Sequence, residues 1–404
     1  MKLWHQTWAL SLRYMCSSPV SALLHVLLLS LGLGSITMVL LVSDQIDRAF
    51  ARDVQGIDLV VGAKGSPLQL ILAGVFHIDA PPGNIPLAEV QSLQRHPLVA
   101  QVIPLSLGDS MGGYRIVGTT ADYLTHYQAT LSQGQVWAAP MQAVLGAQVA
   151  QRSGLALGAQ FLGTHGLGAG GHAHGDTPYQ VVGLLAPCQC VLDRLVLTAL
   201  ESVWHVHEHA LATDQDDLQA LKQEREVTLT LLRYRSPMAA VTLPRLINAS
   251  TPLQAAAPAL ELTRLLRLLG VGTEVLRGFG VLLLLAAGLS VFIALWSAVR
   301  ERRADLALLR LLGAPPARVA TLLLCEALWL ALLATVCGLL AGHMGAEFVG
   351  WLLEADRSLP ITGWYVSPKE WLVPLLAVAV ATLAASLPVL TAYRFDVAEL
   401  LKTR

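Results

Sequence analysis

RERRADLALLRLLGAPPARV, residues 300–319, separates two long apolar runs, and its reading decides the fold. Leu306, Leu308, Leu309 and Leu312 give a short helical apolar face, flanked by Arg302, Arg303 and Arg310. Gly313 supplies a C-terminal stop, and Pro315 and Pro316 prevent the helix from continuing. Lysine and arginine beside a membrane span collect on the cytoplasmic side. A basic helical loop at this point therefore fixes which side is inside. Spacing alone leaves two readings of the helix open: a coupling helix that docks onto a cytoplasmic protein, or a surface helix held by arginine–lipid contacts.

The surrounding chain supports the membrane reading. It has 404 residues, 54% hydrophobic and only 14% charged, with mean hydropathy +0.56. Soluble domains carry about 25% charged residues, so the composition belongs to the membrane class. A net charge of −1 gives no electrostatic case for nucleic acid. Four apolar runs stand out at residues 18–43, 278–299, 319–344 and 371–393. Each has about the 20 residues a helix needs to cross the hydrocarbon core. Pro374 and Pro388 in the last run are tolerable, because neighbouring helices can satisfy the freed backbone groups. The lead before the first run is long, and no small-x-small cleavage site follows it, so an uncleaved anchor is expected.

Basic residues set the orientation. Lys2 and Arg13 precede the first run, five arginines lie in residues 300–318, and Arg394, Lys402 and Arg404 follow the last run. Both termini and the 300–318 loop are then cytoplasmic. Residues 44–277 and the acidic loop 345–370 fall on the other side. The expected fold class is an α-helical membrane domain of four transmembrane helices with a large mixed α/β domain inserted between helices 1 and 2.

Residues 1–17 read as a cytoplasmic amphipathic helix, with Trp4, Trp8 and Leu12 at four-residue spacing. A plain helical extension of the first span fits the spacing equally well. The insert, 44–258, is long enough to bury its own core, as one lobe or two. Strands are expected at 57–61, 99–107, 114–119, 143–145, 179–185, 195–198 and 226–234, with a turn at 108–113. Helices are expected at 86–95, 146–152, 200–209 and 237–249. In 259–277, Leu262, Leu265, Leu266 and Leu269 recur at helical spacing, which reads as a stalk running into the second span.

Motifs for chemistry are scarce. Gly62-Ala63-Lys64-Gly65-Ser66 lacks the spacing of a phosphate-binding loop, and neither G-x-S-x-G nor H-E-x-x-H occurs. No active site is readable, and no cofactor is expected to bind directly. The spans hold almost no ionisable groups beyond His25, Glu326 and His343. Ion-coupled transport needs buried charge, so it is disfavoured. Glu326 reads either as a polar clamp between helices or as an interfacial group. Gly338-x-x-x-Gly342 permits close helix packing.

The insert is rich in histidine. His165, His172 and His174 lie in a Gly/His loop, and His205 and His209 share a helix face at i, i+4, a workable zinc geometry. The bland alternative is solvated surface histidine. Cys188 and Cys190, one residue apart, are expected not to bridge each other, and read as metal ligands or as thiols that pair with a partner.

Residues 301–342, ERRADLALLRLLGAPPARVATLLLCEALWLALLATVCGLLAG, resemble the C-terminal region of MacB/FtsX-like (LolC/LolE-type) ABC transporter permeases. Glu301, Arg302, Leu309, Arg310, Gly313, Ala314, Glu326, Ala327, Gly338 and Gly342 fill the places of that family's E-R-x-x-E-I-x-x-L-R-A-x-G-A pattern and following span. Asp305 stands where the family has Glu, and residues 393–401 resemble its closing segment without the usual proline. The resemblance implies a non-catalytic subunit of the bacterial inner membrane that pairs with a second permease chain, as a homodimer. It implies that a separate cytoplasmic ABC ATPase supplies ATP and docks at Arg302, Arg303, Leu306, Leu309, Arg310, Leu312 and Gly313. It also implies a periplasmic insert that does mechanical work, with a periplasmic adaptor or lipoprotein as further partner. The rival reading is an ATPase-independent receptor or metal sensor with a histidine-rich ligand site.

Overall fold

The computed structural model describes residues 2–166, 177–211, 215–301, 308, 310–354 and 361–393. The chain divides into two compact units, residues 1–47 with 269–404, and residues 48–268. It opens with α1 (Lys2–Cys16) and α2 (Pro19–Val54), and closes with α10 (Pro258–Glu301), α11 (Pro316–Glu354) and α12 (Leu372–Tyr393). Among the described residues four helical segments are long and apolar enough to cross a membrane: Pro19–Val54, Glu274–Glu301, Pro316–Leu353 and Pro368–Tyr393.

In the helical unit the core is built from small and aliphatic side chains. Leu29 and Leu33 of α2, Leu284 and Val291 of α10, Ala327, Ala331 and Ala334 of α11, and Ala377, Ala381 and Ala385 of α12 form one buried cluster. Alanine at four-residue spacing lets the backbones approach, and van der Waals packing replaces the hydrophobic effect that lipid cannot supply. Gly338 and Gly342 of α11 pack on α2, where a Cβ on Gly338 would stand 2.8 Å from the Leu33 Cβ. Polar groups are paired within this unit. His25 Nδ1 lies 2.7 Å from Ser290 Oγ, and its Nε2 lies 3.1 Å from Ser21 Oγ. Asp44 accepts from Lys369 Nζ at 2.8 Å, Tyr365 OH at 2.8 Å and Ser367 Oγ at 3.0 Å.

α1 is a helix of its own. Ser17 and Ser18 break it from α2, whose first residue is Pro19. Trp8 of α1 packs against Trp329 of α11 with ring centroids 4.7 Å apart, and Trp329 Nε1 donates to the Trp8 carbonyl at 3.2 Å.

The second unit holds β1 (Leu59–Ala63), α3 (Pro67–Gly74), β2 (Ile85–Pro86), α4 (Leu87–Gln94), β3 (Val99–Met111), β4 (Tyr114–Thr119), α5 (Asp122–His126), β5 (Leu131–Gly134) and β6 (Gln142–Leu145). It continues with α6 (Ala147–Ser153), β7 (Gln160–Phe161), β8 (Thr164–His165), β9 (Tyr179–Leu185), β10 (Val196–Ala199), α7 (Leu200–Leu211) and α8 (Gln215–Gln223). β11 (Glu226–Val227), β12 (Leu229–Tyr234), α9 (Pro237–Ser250) and β13 (Leu253–Ala256) complete it. Its main sheet runs β13-β1-β12-β3-β4-β10-β6-β9-β5 among the described residues. β10 pairs with β4 and β6 with β9 in parallel, and the other neighbours along this path are antiparallel.

Two cores lie on this one sheet. Leu59, Val61, Val99, Leu232, Leu243 and Leu253 form the first; Ile116, Leu145, Val149, Tyr179, Val181 and Val196 form the second. β3 joins them. Its first half pairs with β12, and from Ser106 its second half pairs with β4 on both sides of a bulge between Leu107 and Ser110. This narrows the turn expected at residues 108–113 to Gly112 and Gly113, because residues 108–111 continue β3. The strand carries Gly108 through inside the bulge, and the chain reverses only at Gly112 and Gly113, both at positive φ.

The Gly62–Ser66 fragment is the corner between β1 and α3. The Ser66 side chain caps α3 by accepting from Gln69 N at 3.4 Å, with Pro67 in the first helical turn.

Candidate functional site

The loop that carries the topology is anchored at both ends. Val299 near the end of α10, Val319 and Leu323 of α11, and Ala392 of α12 make a small buried cluster beneath it. Gly313 takes φ 92°, a left-handed value that ends the preceding turn, and Leu312 N donates to Leu308 O at 3.0 Å. Beyond that stop, Pro316 starts α11. Leu308, Leu311 and Leu312 are 58%, 59% and 78% exposed, so an apolar ridge points away from the anchoring cluster. Arg310 is half-buried. Arg302, Arg303, Leu306 and Leu309 lie outside the described residues. Glu326 is buried within α11, 7% exposed.

The proposed zinc residues fall on separate elements. His165 is on β8, and His205 and His209 are on α7, with the His205 side chain half-buried. His172 and His174 lie outside the described residues. Among the described residues no group of three or more His, Cys, Asp or Glu side chains is spaced to hold a metal ion.

The two cysteines correct the sequence expectation. Cys188 and Cys190 are joined by a disulfide, with Cα atoms 5.1 Å apart. In an extended strand residues i and i+2 stand roughly 6.7 Å apart, with side chains on one face. Here Gln189 takes φ 55°, folding the backbone so that the two Cβ atoms converge. The fold is held by Asp193, whose carboxylate accepts from Cys188 N at 3.0 Å and Gln189 N at 2.7 Å.

A buried polar cluster underlies this turn, and nothing in the sequence announced it. Asp53, in the last turn of α2 and within the second unit, accepts from Val191 N at 3.0 Å and lies 3.9 Å from Arg194 Nη2. Burial pushes its carboxyl up to about 6, against the opposing pull of Arg194, the Val191 N–H and Arg52. Burial likewise raises Asp193 and lowers Arg194. Arg52 donates to the Gln189 carbonyl, and Tyr127 OH donates to the Asp53 carbonyl at 2.8 Å. Nearby, buried His77 lies 3.0 Å from Tyr123 OH through Nε2.

Comparison with protein families places residues 277–397 in the FtsX-like permease C-terminal model and residues 22–229 in the MacB-like periplasmic core domain model. Comparison with curated proteins gives no match. Among solved structures, the periplasmic region of MacB from Actinobacillus actinomycetemcomitans covers 52% of this chain and 95% of its own length, at 11% identity and TM-score 0.34. The extracellular domain of the noncanonic ABC-type transporter YknZ from Gram-positive bacteria covers 49% of this chain and 98% of its own, at 11% identity and TM-score 0.31.

Proposed function

Because this chain belongs to the family of FtsX-like ABC transporter permeases with a MacB-like periplasmic core domain, we propose that it transmits ATP-driven motion from a separate cytoplasmic ATPase to the inserted domain. The observation that carries this reading is the exposed Leu308–Leu311–Leu312 ridge on an anchored, basic loop. An exposed apolar ridge in an arginine-rich segment is the chemistry of a protein-docking surface.

α10 supplies a route for the motion. It is one helix from Pro258 to Glu301, with no proline inside it to absorb a displacement. A push at the docking loop would travel along it towards residue 258. In this reading the chain works as a homodimer in the bacterial inner membrane, with the inserted domain in the periplasm. The work is done there on an envelope substrate or a lipoprotein, and no cargo passes through the span core.

The test is association. Charge reversal at Arg302 and Arg310, or Leu309→Pro, should abolish co-purification of the ATPase while membrane insertion stays normal. Normal co-purification with those variants would reject docking at this loop.

A further inference from the structure

The Cys188–Cys190 bridge does little as a staple. The chain entropy that a crosslink removes grows with the size of the loop it closes. A bridge across one intervening residue, with sequence separation 2, sits at the bottom of that scale. It also holds Gln189 in the left-handed region, which favours glycine and not glutamine. A bridge that closes almost no loop and imposes an unfavoured backbone conformation points to a use other than stability.

Its surroundings are those of a binding site. The bridge lines a cleft of about 480 Å³ in the second unit, within the range of small-molecule sites. Arg52 and Arg233 line it with the side-chain amides of Gln55 and Gln101; no carboxylate is among its described lining residues, and the nearest one to the bridge, Asp193, lies with Oδ1 3.4 Å from Cys188 Sγ and is engaged by the Cys188 and Gln189 N–H groups. Cys188 is half-buried and Cys190 is 7% exposed, so Cys188 is the more open residue of the pair. The turn is wired to the end of α2 as well: Gln189 O accepts from Arg52, and Val191 N donates to Asp53.

We propose that Cys188–Cys190 is a thiol–disulfide exchange site whose reductant is an anionic low-molecular-mass thiol seated in the Arg52/Arg233 cleft. The thiolate of the first thiol attacks Cys188 Sγ. The Sγ–Sγ bond breaks, Cys190 leaves as a thiolate and takes a proton from water, and a mixed disulfide remains on Cys188. A second thiolate attacks the outer sulfur of that mixed disulfide. Cys188 leaves as a thiolate and is protonated in turn. Two thiols are oxidised to one external disulfide, and the protein bridge is reduced by two electrons. Opening the bridge removes the covalent hold on Gln189 and loosens the carbonyl that Arg52 grips on α2.

The test uses the full-length protein in detergent, with Cys16, Cys325 and Cys337 changed to serine. Bridge opening by glutathione, an anionic thiol, and by cysteamine, a cationic one, is timed by alkylation and mass spectrometry. The bridge should resist alkylation until reduced, and glutathione should open it. C190S, incubated with oxidised glutathione, should take up one glutathione on Cys188 and release one reduced glutathione. The R52Q/R233Q pair should slow glutathione about fivefold while leaving cysteamine as fast or faster, and R52K/R233K should restore the glutathione rate. A variant that merely unfolds would expose the bridge and speed both thiols, which would count against the proposal. It is also overturned if both cysteines are alkylated without reductant. Equal slowing of the two thiols, or reduction by a protein dithiol alone, would overturn it too.

Discussion

Gly342 of α11 lies against Thr37 of α2 so closely that a Cβ on Gly342 would run into the Thr37 side chain and approach the Gly34 carbonyl oxygen to 3.0 Å. Thr37 is fully buried there, its hydroxyl donating to Leu33 O at 2.8 Å. The contact explains what Gly338-x-x-x-Gly342 does in this chain: it seats the third span against the first. G342A should therefore lower the thermal stability of the detergent-solubilised protein by about 1–3 kcal/mol. T37G/G342A should cost less than the two single changes added together, because T37G removes the side chain that the new Cβ would strike. Thermal unfolding of the four proteins checks this, and strict additivity would show that the contact is not shared.

Acid should weaken the second unit through His77. Burial holds its imidazole well below the usual histidine range, helped by Arg115 and Arg194. The folded state keeps His77 neutral, while the unfolded chain takes up a proton below about pH 6.5. The stability from this group is fully present above that pH and is lost as pH falls, at about 1.4 kcal/mol per pH unit. His77 sits at φ 55°, a value asparagine tolerates. H77N should thus remove one proton's worth of the acid slope between pH 6.5 and 5. Amide exchange in β3 and β12 across that range would detect it; an unchanged slope would rule His77 out as the source.

Asp53 should matter through what it accepts. D53A leaves the Val191 N–H without its acceptor and Arg194 without its neighbour. A cost of about 2 kcal/mol or more follows for the second unit. D53N keeps an oxygen for Val191 N and should cost less than half as much. Equal losses for the two variants, read from urea unfolding of the same unit, would show that the carboxylate's charge and not the hydrogen bond is what counts.

Much of this architecture was legible before the structure. Long apolar runs marked the four helices capable of spanning a membrane, and the strand expected at 179–185 coincides with β9 residue for residue. α3 is not among the helices expected from the sequence, although Ser66-Pro67 before an apolar run is a helix-start signal. The disulfide was missed because spacing rules assume an extended backbone, and one left-handed residue, Gln189, removes that assumption. The Asp53 cluster was beyond reach for a different reason. Its partners Val191 and Arg194 are about 140 residues away, and no local pattern encodes a contact made only when the sheet closes. In residues 300–318 leucine spacing points to an apolar face, and the structure adds that Leu311 stands exposed beside Leu308 and Leu312.

The ridge itself should tolerate no charge at its centre. L311D/L312D places two carboxylates where apolar contact is expected, and should weaken ATPase association by about 10- to 100-fold per residue lost from the contact. Insertion of the four spans should be unaffected, since both residues are exposed. Titration of the solubilised permease with its ATPase reads the difference directly.

The most direct test of ATPase docking at residues 300–318, on which the transmission of motion depends, is photo-crosslinking from position 312, the most exposed leucine of the ridge. A benzophenone side chain there, activated in intact cells, should yield a covalent adduct with an ABC ATPase subunit, identified by mass spectrometry, and the adduct should vanish in the R302E/R310E background. Adducts with lipid alone, in cells where the permease is inserted and the ATPase present, would contradict it.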